Sequence, residues 1–210
     1  MGLETYDFKG KFLLDATADG KYAKGIVKSG VRQIDTVITS IPVFNLKSEL
    51  KNGYFKFTSL PQAVENIGFK LSSSTKDSLL QNIRIDLTDL NLNVLSNYIK
   101  GYIKIDNFKE FPVNGKLKGQ FDLADISKFY PVDSVIIKGM FHIDAVANGN
   151  YLPAKRIVPV TNTRLSITNG YIKSLTYPIP LENISVITQV SSSKGSFKDL
   201  KVDVLPITFS

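Results

Sequence analysis

Hydrophobic and polar residues alternate with a period of two along most of this chain, the period of a strand with one apolar and one hydrated face. In NGKLKGQFDL (114–123), Leu117, Gly119, Phe121 and Leu123 share one face, and Lys116, Lys118, Gln120 and Asp122 share the other. YIKGYIKID (98–106) sets Ile99, Gly101, Ile103 and Ile105 against Tyr98, Lys100, Tyr102 and Lys104. IRIDL (83–87) sets Ile83, Ile85 and Leu87 against Arg84 and Asp86. The phase then slips by one before Leu90, which predicts a bulge or a short turn. Phe12 with Leu14, and Phe141 with Ile143, continue the uncharged face in two further segments. Long helical patterns are absent. DISKFY (125–130), stopped by Pro131, predicts one or two helical turns at most.

Turn chemistry punctuates these strands. Asp19-Gly20, Asn52-Gly53, Asn114-Gly115, Asn148-Gly149 and Asn169-Gly170 accept positive φ and predict tight hairpins. So many at short spacing imply an antiparallel meander, and the chain reads as all-β.

The chain also repeats itself. NGYFKFTSLPQAVENI (52–67) and NGYIKSLTYPIPLENI (169–184) are identical at eight of sixteen positions, at an offset of 117. NIRIDL (82–87) lies over DLKVDV (199–204) at the same offset. KGKFLLDATADGKY (9–22) matches KGMFHIDAVANGNY (138–151) at eight of fourteen, at an offset of 129. The difference places 12 extra residues in the first copy, between about 23 and 51. The expected organisation is a first β unit over 8–105, a connecting strand and short helical segment over 106–136, and a second β unit over 137–210. Repetition of this kind lets each unit extend a sheet that its neighbour continues. The alternation is still running at DLKVDVLPITFS, so a piece of a longer protein is expected.

Composition narrows the chemistry. An apolar fraction of 43% and a charged fraction of 21% belong to a folded chain. Lys and Arg exceed Asp and Glu by 26 to 19, which favours an anionic partner or simply solvated lysines on outer strand faces. The absence of cysteine excludes disulfides and thiolate metal sites. No apolar run reaches the length of about 18 residues needed to span a bilayer. The start carries no secretory h-region, and Tyr6 stands where myristoylation needs Ser or Thr. Nucleophile, P-loop, dinucleotide, zincin and EF-hand motifs are all missing, so no catalytic residue, metal or cofactor is expected. His142 is expected at an exposed or rim position, its counterpart being Leu13. Asp15 and Asp144, like Glu65 and Glu182, recur between copies and read as turn-bonding or capping groups. Few of the cations are Arg and no aromatic cluster accompanies them, so nucleic acid is not an expected partner.

NGYIKSLTYPIPLENI with the alternating strand ending DLKVDV, and VNGKLKGQFDLADISKFYPVD, resemble the C-terminal region of AsmA-like proteins, relatives of the TamB-type envelope proteins. The resemblance runs from about Lys9 to Phe209. It implies an elongated, curled antiparallel sheet, a groove or open barrel-like shape built from two related units. It further implies a non-enzymatic module on the periplasmic side of the inner membrane of a Gram-negative envelope. Such a module binds or conducts phospholipid acyl chains in support of outer-membrane lipid homeostasis, with anchoring through a segment absent from this chain. The candidate groove residues are Phe12, Leu14, Ile83, Ile85, Leu87, Ile99, Ile103, Ile105, Leu117, Phe121, Leu123, Phe141 and Ile143, with rim lysines for an anionic headgroup. Periodicity taken alone favours a closed β-sandwich, an interaction scaffold binding other envelope proteins through its sheet edges. The resemblance reverses that preference. An Asp at Phe121 would abolish lipid binding in the groove but unfold the sandwich.

Overall fold

The computed structural model describes residues 6–28, 34–57, 63–125, 134–174, 176–177 and 179–210. Twelve strands run through them: β1 (Tyr6–Asp19), β2 (Ala23–Lys28), β3 (Ile34–Ser40), β4 (Val43–Phe57), β5 (Val64–Ser74), β6 (Arg84–Val94), β7 (Asn97–Ile105), β8 (Pro112–Asp122), β9 (Val135–Asn150), β10 (Val160–Ser174), β11 (Leu181–Ser192) and β12 (Lys201–Val204). Ten form one open antiparallel sheet in the order β1-β4-β5-β6-β7-β8-β9-β10-β11-β12, while β2 and β3 make a separate ribbon. At about 4.8 Å per strand the sheet is about 43 Å broad. Helical structure among the described residues is confined to three-residue turns at Leu80–Asn82, Pro153–Lys155 and Phe197–Asp199 and a short stretch at 123–125. The all-β antiparallel sheet expected from the chain is the one it adopts, and the sheet is open. Positions 126–130 of the expected helical segment lie outside the described residues.

The two copies of the repeat pass through the same elements. β1, β4, β5, the turn at Leu80–Asn82 and β6 return as β9, β10, β11, the turn at Phe197–Asp199 and β12. Their registers coincide as well: Phe12 faces Leu50 where Phe141 faces Ile167, and Ala16 faces Leu46 where Ala145 faces Thr163. The insertion in the first copy holds the β2–β3 ribbon, in place of the turn at Pro153–Lys155. β7 and β8 join the copies.

Each copy ties its helical turn with one carboxylate, from opposite sides. In the first, Asp77 accepts from the Leu79 N–H (3.0 Å) and the Asn82 amide (2.6 Å). In the second, Asp199 stands at the Asn82 position and accepts from the backbone N–H groups of Lys194 (2.6 Å) and Ser193 (2.5 Å). The Lys194 N–H, foremost, holds the Asp199 carboxyl below its ordinary range, and the Leu79 N–H does the same for Asp77. The unfolded chain titrates at about 3.9, so the stabilisation is complete above that value and is lost as pH falls through the lower folded values. In an NMR titration the Lys194 amide should therefore shift with a midpoint below 3.9. A midpoint at or above the ordinary value would show that the bond contributes no such stability.

The Asn-Gly pairs correct the hairpin expectation. Asn52-Gly53, Asn114-Gly115, Asn148-Gly149 and Asn169-Gly170 lie inside β4, β8, β9 and β10, and only Asp19-Gly20 falls at a strand end. Asn52 (φ 49°) and Asn169 (φ 51°) are bulge residues, matched by Asn66 (51°) and Asn183 (52°) on the next strands. Asp89 (53°) supplies the slip expected between Leu87 and Leu90. Each bulge adds a residue to one strand only, which bends it and increases its twist. Gly53 and Gly170 fit there because a Cβ would press on Ile67 (2.9 Å) or Ile184 (2.8 Å).

Among the described residues the large sheet has no second layer. Ile41 and Val158 are the only buried hydrophobic side chains among the described residues, at 7% and 8% exposure. The accessible surface is 14343 Å², against about 9,700 Å² for a compact monomer of this mass. A closed sandwich buries the inner face of both sheets against each other. Among the described residues no second sheet packs against the ten-stranded one, so the closed core is not formed.

Candidate functional site

Direct partners in an antiparallel pair point their side chains to the same face, so the register maps both faces of the sheet. One row crosses nine strands as Leu14, Ser48, Leu71, Leu87, Ile103, Gly115, Ala147, Thr161 and Ser192. Extending the map to every described strand of the large sheet finds no Asp, Glu, Lys or Arg on this face. The face is also uncovered: Phe8, Phe12 and Leu14 are 62%, 56% and 60% exposed. Near its centre Leu87, Ile103, Leu117, Ala145 and Ala147 line a depression of about 250 Å³.

Eleven of the thirteen candidate groove residues stand on this face within strands. Phe12 and Leu14 lie on β1 opposite Leu50 and Ser48. Ile85 and Leu87 on β6 face Ile105 and Ile103 on β7, and Ile99 on β7 faces Leu92. Leu117 and Phe121 on β8 face Ala145 and Phe141 on β9, where the two rings stack at 6.2 Å. Ile143 faces Leu165. Ile83 and Leu123 lie just outside the strands: Ile83 closes the turn before β6, and Leu123 opens the helical stretch after β8. Backbone pairing stops at those points, so alternation no longer fixes their direction.

The opposite face carries the charge. Lys100 stands directly across from Lys118, and Tyr102 from Lys116. Lys118 reaches Asp144 at 2.8 Å, and that carboxylate raises its pKa above the ordinary lysine value. The pairing of Lys9 with the Tyr54 ring (5.0 Å) recurs between copies as Lys138 with Tyr171 (5.3 Å). A depression of about 700 Å³ lies among Thr88, Tyr102, Asn114 and Lys100, Lys104 and Lys116. The four lysines of β7 and β8 thus occupy the middle of the polar face and not the rim of the apolar one. His142 is half-buried on this face between Gln120 and Ser166, because β9 is an interior strand. Asp144 is likewise mid-strand and ion-paired, not a turn-bonding group. Among the described residues no three His, Cys, Asp or Glu side chains gather as a metal site, and no helix is long and apolar enough to cross a membrane.

Sequence reasoning missed the half of this face contributed by β4, β5, β10, β11 and β12. Leu50 and Phe55 both belong to it, five residues apart, because the bulge at Asn52 shifts the phase between them. The recurring Asn at 52, 66, 169 and 183 was the signal available. Comparison with protein-family models, with curated proteins and with solved structures finds no match for this chain.

Proposed function

We propose that this chain is a non-enzymatic lipid-handling module of a cell envelope, its uncharged face holding phospholipid acyl chains. The observation that carries the reading is that face: ten strands wide, free of charge and uncovered. A sheet with one apolar face requires a covering layer, and apolar patches of this breadth on soluble proteins mark binding surfaces. Each methylene withdrawn from water contributes about 0.8 kcal/mol, so an acyl chain lying on the face gains roughly 10 kcal/mol gross. The sequence resemblance to AsmA-like proteins supports the same reading and implies the periplasmic side of a Gram-negative inner membrane. The scaffold alternative keeps its free sheet edges but loses the closed core it was coupled to.

Native mass spectrometry of the chain purified from a Gram-negative host tests the proposal. Phospholipid at near-stoichiometric occupancy, with transfer of fluorescent lipid between vesicles, is expected. A lipid-free chain that takes up no fluorescent lipid would overturn it.

A further inference from the structure

The two edges of the large sheet differ. β12 has four residues, and the chain beyond it meets β11 only at separated points such as Ser185 with Thr208. β1 has fourteen residues, is paired on one side only among the described residues, and duplicates the interior strand β9. Its register with β4 matches that of β9 with β10, so its free edge presents the backbone groups that β9 gives to β8. A long regular edge with that character is a template for another strand.

β1 also carries the sequence of that other strand. FKGKF (8–12) repeats LKGQF (117–121) of β8 at an offset of 109, while positions 9–22 repeat β9 at an offset of 129. Applied together to the β8–β9 register, the two offsets bring β1 against a second β1, antiparallel, with Phe12 on the two-fold axis. The β8–β9 pairs then recur. Phe121 against Phe141 becomes Phe12 against Phe12, and Gly119 against Ile143 becomes Gly10 against Leu14. The ion pair of Lys118 with Asp144 becomes Lys9 with Asp15, formed twice by symmetry. Lys9 is ion-paired to Asp7 on its own strand, at 3.2 Å, with both side chains more than half exposed.

We infer that the free edge of β1 is a dimerisation surface whose partner is a second copy of this chain. The two sheets join into one of twenty strands with both apolar faces on the same side. An isologous contact of this kind closes on itself and leaves no further β1 edge for growth. The inference stands apart from the proposed lipid function.

Sedimentation velocity of the purified chain should give twice the 23.3 kDa monomer mass. Lys9→Asp and Asp15→Lys each set like charges opposite one another twice, and each should shift the mass to that of the monomer. Both positions are exposed, so the fold should survive, as circular dichroism would verify. Mixed in equal amounts, the two variants regain opposite charges at both positions and should form a heterodimer. In a chain free of cysteine, Phe12→Cys lies on the axis and should oxidise to a covalent dimer, whereas Thr17→Cys should not. A monomer at every concentration, a dimer indifferent to the charge reversals, or variants that do not pair on mixing would each overturn the inference.

Discussion

Ile103→Asp should strip the chain of bound phospholipid while leaving its fold intact. Ile103 lies between Leu87 and Gly115 near the middle of the uncharged face and is already 38% exposed. In the lipid-free sheet an aspartate there stays hydrated, and the ladder on either side of β7 is untouched. Under an acyl chain the same carboxylate would be withdrawn from water at a cost of about 3 kcal/mol, or roughly a hundred-fold in affinity. Lipid occupancy by mass spectrometry and the thermal midpoint separate the two effects. A variant that retains its lipid would show that the acyl chains do not lie on this face. One that loses its fold would show that Ile103 is core. The outward-facing Tyr102→Asp is the control, on the same strand but the other face, and should keep its lipid.

Gly101→Ala should be the most damaging small substitution in the chain. Gly101 sits between Leu90 and Leu117, at the strand pair that joins the two copies. A Cβ there would overlap the Lys116 carbonyl oxygen, far inside van der Waals contact, and reach 3.0 Å from the Leu117 Cα. Both obstacles are backbone of the neighbouring strand, so no rotamer change relieves them. The expected loss is about 3 kcal/mol in chemical denaturation, the upper end of the usual range for overpacking. Gly68→Ala is the matched control: a Cβ there meets nothing closer than 3.6 Å. It should be neutral or gain about 0.5 kcal/mol from a stiffer unfolded chain. Equal effects at the two glycines would mean that the β7–β8 seam is not tightly packed.

The middle of the sheet was legible in the sequence because β7, β8 and the β8-paired part of β9 hold their phase, as β6 does up to Leu87. The faces of Ile99, Ile103, Leu117 and Ile143 follow from alternation alone. The flanking strands were not legible in the same way. Val64 and Ile67 share a face although three residues separate them, since the bulge at Asn66 takes up one position. The Asn-Gly pairs misled for a related reason. A left-handed residue is wanted both at a hairpin turn and at a bulge, so local chemistry cannot tell them apart, and only the strand across the ladder decides. Alternation is equally silent on whether an apolar face meets a second sheet, since both architectures need the same face. His142 was misplaced because β9 was compared with β1, an edge, when β9 itself is interior.

The order of the strands has a consequence for how the molecule comes apart. From β5 to β12 every strand pairs with the one before it in sequence, and among the described residues no second layer couples distant parts of the sheet. Stability is then close to a sum of nearest-neighbour terms along one dimension, as in solenoids. Assembly can begin at any hairpin and spread in both directions. Dissolution proceeds inward from the ends, the four-residue β12 before the long central pairs, so amide exchange should grade across the sheet. Such a chain behaves less like a globule with a melting point than like a zip that opens from its ends.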